Sequence, residues 1–460
     1  MTRLLLKNAD FIVSCDDQDN VYENCDVLIV DKQIVSIAPD IEANNIDEVI
    51  DCSGKALFPG LVNTHHHFFQ TFVRNRLSID YPAMTVIEWL DKIYRVFCRM
   101  DEEMLYYSSL VAMSDLVKHG CTTAFDHQYC HTKPDGQHMI DQSVKAAEML
   151  GVRYVGGRGT NTLPREEGST IPPAMLETTE EFIQDCERLI NAYHDHDPFA
   201  MSQIVVAPCQ PVNCYPETFE ESVKLARKHK VFMHTHLGEG ENPNIEERYG
   251  MRTLDWCIEK EFIGEDVWFA HCWELTPEEF EVLGRYGSGV SHCPAPAILG
   301  GFPILDMKQI ISTGTPISLG CDGSATNDGS NLLDTLRLTF LMQAGHSKER
   351  GGNVTPYEVL KMATRGGAQS LGRSELGQLA EDKAADLFAL DINRLELVGA
   401  LHDIKNLIPR LGYTNEVDFT IVNGEVVFRD GELTRVNEAE LKQQADKSQQ
   451  RINLIIDQEV

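Results

Sequence analysis

Apolar positions recur in three different rhythms along the chain. Over residues 4–58 they form short β-type runs, at Leu4–Leu6, Asp10–Val13, Val27–Val30, Ile34–Ile37 and Val49–Ile50. Turn residues such as Asp31-Lys32 and Cys52-Ser53-Gly54-Lys55 separate them, which predicts a small sheet. At Pro59 the rhythm changes, and from there to about residue 375 short apolar strands alternate with longer amphipathic stretches. Eight strands are expected: Ala56–His65, Thr122–Asp126, Arg153–Gly156, Ile204–Ala207, Val231–His236, Val267–His271, Gly289–His292 and Pro316–Gly320. Helical patterns fall between them, as at Met104–Lys118, Glu180–Ala192, Phe219–Lys228 and Asp306–Ser312. Eight strand–helix units with buried strands predict an α/β fold, a (β/α)8 TIM barrel. The insert after the first strand, about residues 68–100, carries Trp89 and is expected to cover the barrel mouth as a lid. From about Gly377 the β-type pattern returns, with Asp386–Leu390, Asp418–Val422 and Val426–Phe428. Asn423-Gly424 between the last two runs predicts a hairpin. The expected organisation is a small β-sandwich made from residues 1–58 and 376–460, split by a barrel over 59–375, with a polar closing helix over 437–455.

Composition narrows the class of partner. The 460 residues include 71 acidic and 40 basic side chains, for a net charge of −31. That excess argues against nucleic-acid and anionic-membrane surfaces, which need basic patches. No apolar run approaches a bilayer-spanning length, and no small-residue cleavage site follows the apolar N-terminal stretch. Thirteen cysteines sit mostly in apolar runs and form no CxxC pair, the pattern of reduced core residues in a cytoplasmic protein.

The candidate chemistry lies at the strand ends, where a barrel presents its functional side chains. Strand one ends in His65-His66-His67, and alternation points His65 and His67 to one face and His66 to the other. Strand five ends in His234-Thr-His236-Leu-Gly-Glu239, strand six in His271, strand seven in His292 and strand eight in Asp322. Five of the eight ends therefore carry a possible ligand or acid–base group, too many for 16 histidines scattered at random. His65, His67, one histidine of strand five and Asp322 would supply nitrogen and oxygen donors around an open position, as in catalytic metal sites. Zinc suits such a set best, and iron or manganese would fit the same ligands. His236 is favoured over His234 because Glu239 follows it by three residues and can turn into the same pocket. Strand four holds no lysine of the kind that bridges two metals in binuclear barrel hydrolases, so one divalent ion per subunit is expected.

The motifs FPGLVNTHHHFFQT, HTHLGE, FAHC, SHCP and GCDGSATNDGSN, in that order, resemble those of the amidohydrolase superfamily, in particular its mononuclear aminohydrolases and triazine hydrolases. The stretch GQLAEDKAADLFALD is similar to that family's return into the small domain. HHHFFQT, TTAFDHQY and DGSATND are most similar to 8-oxoguanine deaminases, with hydroxytriazine and pterin deaminases close behind. The resemblance implies His65, His67, His236 and Asp322 as metal ligands and Glu239, His271 and Asp322 as catalytic groups. It implies Gln70 as a contact to the heterocycle, with His292 beside the substrate or supporting His271 or Asp322. The implied reaction is hydrolytic deamination of an amino-substituted N-heterocycle, 8-oxoguanine or a related purine or pterin, with release of ammonia. The alternatives are a triazine hydrolase, an adenosine-type nucleoside deaminase and a non-catalytic scaffold of the same fold. A homo-oligomer is expected. One departure stands out: Pro294-Ala295-Pro296-Ala297 follows His292, where many members carry Ser-Asn.

Overall fold

The computed structural model describes residues 1–75, 84–133, 136–346 and 354–459. The N-terminal segment forms β1 (Arg3–Val13), β2 (Val21–Val30), β3 (Gln33–Ala38), β4 (Glu48–Asp51) and β5 (Lys55–Pro59). The two runs expected at Leu4–Leu6 and Asp10–Val13 are one strand. Its pairing with β2 slips between Leu6 and Ala9, where Asn8 takes a left-handed conformation. Such a bulge bends a strand without ending it.

Eight parallel strands follow: β6 (Leu61–Asn63), β7 (Cys121–Gln128), β8 (Arg153–Arg158), β9 (Ser202–Val206), β10 (Met233–Leu237), β11 (Val267–His271), β12 (Gly289–His292) and β13 (Ile317–Leu319). They pair in sequence order from β6 to β13. Just past the strands, Thr64 N donates to Leu319 O at 3.1 Å and Asp322 N to His65 O at 3.0 Å. These bonds draw the first and last strands together into a nearly closed TIM barrel. Threonine–glutamate capping boxes start several surrounding helices, as at Thr178/Glu181 for Thr179–Tyr193 and Thr276/Glu279 for Pro277–Tyr286.

The first expected strand, Ala56–His65, is two strands in two sheets. Gly60 N bonds Asp386 O, and a Cβ at Gly60 would stand 2.1 Å from Thr122 Oγ1. Pro59-Gly60 is thus the crossing point: β5 stays in the small sheet and β6 opens the barrel. After the barrel come β14 (Leu387–Asp391), β15 (Phe419–Val422), β16 (Glu425–Arg429) and β17 (Glu432–Leu433), with the expected hairpin turn at Asn423-Gly424. β14 pairs with β5, so strands from the two chain ends form one continuous nine-stranded sheet. Leu6, Ile12, Val27 and Ile34 from its N-terminal part share a core with Leu387, Ala389, Phe419 and Ile421 from its C-terminal part.

The helix Val86–Phe97 buries Trp89 and Tyr94 in a cluster with Phe69, Tyr129, Cys209 and Ala325, all from the mouth side of the barrel. The expected lid therefore covers the mouth, although its residues 76–83 lie outside the described residues. The closing helix, Glu438–Glu459, packs Ile452, Ile455 and Ile456 into the same cluster. No helix among the described residues is long and apolar enough to cross a membrane.

Candidate active site

The barrel interior is layered. Phe125, Val205 and Trp268 lie in an apolar layer below the site. The His234 ring rests on Trp268 at 4.6 Å and against Phe125 at 4.7 Å, and His127 stands beside it at 5.1 Å. Towards the mouth come His65, His67, His236, His271 and Asp322, each at most 5% exposed.

The donor atoms of this upper layer converge. His65 Nε2 lies 3.5 Å and His67 Nε2 3.3 Å from Asp322 Oδ1, and His67 Nε2 lies 3.2 Å from His236 Nε2. Three carbonyl or imidazole partners decide which nitrogen each ring presents. His67 Nδ1 donates to His127 O at 2.8 Å, His236 Nδ1 to Cys209 O at 2.7 Å, and His65 Nδ1 to His234 Nε2 at 2.9 Å. All three Nε2 atoms are left as lone pairs, and burial holds the rings neutral, with pKa values well below the ordinary histidine range. Two lone pairs facing each other at 3.2 Å repel unless a cation stands between them. Metal–nitrogen bonds of about 2.0–2.1 Å in a tetrahedral site place donors about 3.3 Å apart. The separations of 3.2–3.5 Å match that edge, so the residues fit a divalent ion.

Glu239 Oε1 lies 3.5 Å from His271 Nε2. Burial, reinforced by the charges of Asp322, Glu241 and Glu274, raises the Glu239 carboxyl well above the ordinary range and favours its protonated form. Burial pushes Asp322 up to about 7, against bonds from Gly323 N and Thr326. His271 and Asp322 both adopt left-handed backbone conformations, at φ 73° and 63°. Strain of order 1–3 kcal/mol at a non-glycine residue persists where the surroundings impose it, and such positions cluster at active sites.

Other expected residues lie where their partners, more than their spacing, dictate. His66 turns away, and its Nε2 lies 2.9 Å from Ser330 Oγ. Gln70 is not free to face a ligand with its whole amide: Oε1 accepts from Ala325 N at 3.1 Å, bracing the loop after Asp322. A Cβ at Gly323 would meet that oxygen at 1.9 Å. Gly323→Ala should therefore push Gln70 aside and destabilise the fold by about 1–3 kcal/mol, with a raised KM, measured by thermal unfolding and steady-state kinetics. His292 is fully buried near His271, and neither of its ring nitrogens has a hydrogen-bond partner. Pro294-Ala295-Pro296-Ala297 opens the short helix Pro294–Leu299, and Phe302 N returns to Ala297 O, which seats Phe302 4.5 Å from Trp273.

Four residues had no assigned part in the sequence reading. Asp126 Oδ1 accepts from Phe68 N at 2.9 Å and so holds the chain just past the ligand histidines. His127 stacks on His236 at 4.8 Å, and Tyr129 meets His67 edge-on at 5.0 Å. All three belong to the TTAFDHQY motif, which was the available signal. Glu241 accepts from Gly238 N and Glu239 N, at 2.6 and 2.7 Å, and so shapes the loop that carries Glu239.

Comparison with known proteins agrees with this geometry. Residues 56–427 match the model of the amidohydrolase family. The chain is 46% identical to hydroxydechloroatrazine ethylaminohydrolase of Pseudomonas sp. (strain ADP), over 97% of this chain and 95% of that protein. It is 35% identical to 8-oxoguanine deaminase of Pseudomonas aeruginosa, over 85% and 86% of the two chains. Among solved structures, atrazine chlorohydrolase TrzN from Arthrobacter aurescens TC1 complexed with zinc superimposes with a TM-score of 0.93, at 26% identity over 97% of this chain and all of that one. A strand-end cluster of histidines and one aspartate, at the mouth of a barrel carried on a sheet from both chain ends, thus has the company its sequence suggests: the chain belongs to the amidohydrolase family, and its relatives include hydrolases and deaminases.

Proposed function

We propose that the protein hydrolyses the bond between a ring carbon and an exocyclic amine on an N-heterocycle, with one divalent ion, most readily zinc, held by His65, His67, His236 and Asp322. The convergence of three histidine lone pairs and one carboxylate oxygen within 3.5 Å neighbour to neighbour carries this reading. Such an ion acts as a Lewis acid that lowers the pKa of water from nearly 16 to about 7. Asp322 accepts the proton of the attacking water, and His271 holds its oxygen in line. Glu239, whose carboxyl is raised above the ordinary range by burial and by the nearby Asp322, Glu241 and Glu274, donates to the ring nitrogen beside the amine-bearing carbon. A new C–O bond forms and the C–N bond breaks. The proton from Asp322 passes to the departing amine, the hydroxyl proton of the tetrahedral centre returns to Glu239, and the ring keeps a carbonyl.

The leaving group is, in this reading, an alkylamine on a hydroxylated triazine. The full-length similarity to an ethylaminohydrolase supports it, as do the aromatic side chains beside the acid. Trp273 packs on His271 at 4.3 Å and Phe302 on Trp273 at 4.5 Å, close to Gly240 and Glu239. These surfaces suit a flat ring with an apolar substituent. The second reading is 8-oxoguanine deamination, supported by the HHHFFQT and TTAFDHQY motifs and by the 35% identical relative. Metal-replete protein should release ethylamine from an ethylamino-hydroxytriazine faster than ammonia from 8-oxoguanine, isoxanthopterin or 5′-deoxyadenosine. Turnover confined to the purines would reverse the order of the two readings. The same proposal places the protein in a reducing cytoplasm, which suits cysteines that are all free, and treats it as a homo-oligomer.

A further inference from the structure

Beneath the proposed metal ligands lie two imidazoles that take no part in the chemistry above. His234 Nδ1 stands 2.8 Å from Trp268 O. A carbonyl only accepts, so Nδ1 carries the proton and His234 Nε2 is an acceptor. His65 Nδ1, 2.9 Å from that atom, must then donate to it. What remains on His65 is the Nε2 lone pair, buried without a hydrogen-bond partner and directed at Asp322. One backbone carbonyl therefore dictates the tautomers of two histidines in series. His127 works across the barrel in a similar way. Its Nε2 donates to Ala207 O at 2.8 Å, tying the end of β7 to the chain just past β9. That bond holds His127 O in place as the acceptor for His67 Nδ1, while the His127 ring lies 27° from parallel with His236. The end of β9, where binuclear relatives carry a lysine, contributes carbonyls to this layer.

We propose that His234 and His127 are positioning residues: they compel His65 and His67 to present Nε2 to a divalent ion that neither of them touches. The inference rests on the metal reading above. Partners of this kind typically carry about 10–100-fold of metal affinity.

The test compares zinc affinities by competition with a chromophoric chelator. His234→Leu removes the acceptor for His65 Nδ1–H and should weaken zinc binding by about 10–100-fold. His234→Gln can place an amide oxygen near the position of Nε2 and should restore most of that loss. A role confined to packing would lower the melting temperature of both variants without separating their affinities. His127→Phe keeps the stacked ring and loses the bond to Ala207, and should weaken zinc by a smaller factor. Wild-type affinity in His234→Leu overturns the proposal for His234, and in His127→Phe for His127. A second readout needs no metal. In ¹⁵N-histidine-labelled, zinc-free protein, long-range ¹⁵N–¹H spectra should show His65 as the Nδ1–H tautomer, its signals assigned by their loss in His65→Gln. The Nε2–H tautomer would overturn the proposal whatever the zinc result. An Nδ1–H tautomer in a wild-type chain that takes up no zinc would bring down the metal reading, and the effect on affinity with it.

Discussion

Replacing Glu239 with glutamine is expected to lower kcat by about 10²–10⁴-fold, the range a single general acid contributes, while metal content stays at the wild-type level. The side chain keeps its shape and loses only the proton it would deliver. Nothing in the convergent set depends on it, because His65 and His67 Nε2 approach Asp322, and His67 Nε2 approaches His236, without Glu239. The surroundings are arranged for the protonated acid: the carboxyl is 13% exposed, and Glu241 and Asp322 add negative charge nearby. Asp322→Asn is the informative contrast, since it should lose metal as well as turnover. Amine release per subunit, set beside metal analysis of the same samples, distinguishes the two variants. A Glu239→Gln protein with wild-type kcat would remove Glu239 from the mechanism.

The largest expected effect on stability lies away from the site. Arg153, at the start of β8, is fully buried and pairs with Asp386, 2% exposed, just before β14. The contact is two-pronged, with Nε 3.1 Å from Oδ2 and Nη2 3.0 Å from Oδ1. Asp386 also accepts from Asn423 N at 2.7 Å, and its carbonyl accepts from Gly60 N. Barrel, crossing point and returning chain thus meet at one ion pair. Removing one member of such a pair leaves a buried charge uncompensated, and Arg153→Leu should cost about 3–5 kcal/mol. Chemical denaturation of the variant against wild type measures this. The double replacement Arg153→Leu/Asp386→Leu should recover part of the loss, because most of the penalty belongs to the stranded carboxylate. A single variant as stable as wild type would show that the carboxylate is solvated or neutral.

The barrel was legible because buried parallel strands and amphipathic helices alternate through eight units, the number that closes a barrel. Val267–His271 and Gly289–His292 fall at the expected residues, and the ends of β7 to β10 and β13 move by one or two positions at most. The placement of His65, His67, His236, His271 and Asp322 at the mouth followed from that alternation. The crossing at Pro59-Gly60 was not legible, since an apolar run from Ala56 to His65 reads as one strand until a second sheet claims half of it. The bond from Ala325 N to Gln70 was not legible either: the two residues are 255 positions apart, and no local pattern announces the pair.

The order of polar and apolar residues by itself determined the fold class, the strand ends that carry chemistry and the faces those side chains share. Side-chain alternation and burial are local consequences of covalent geometry. Only the tertiary structure decided which nitrogen each histidine exposes, which loop Gln70 braces and what surrounds Glu239. Those depend on polar groups brought into contact from distant parts of the chain, and such partnership is set by how strands register and pack.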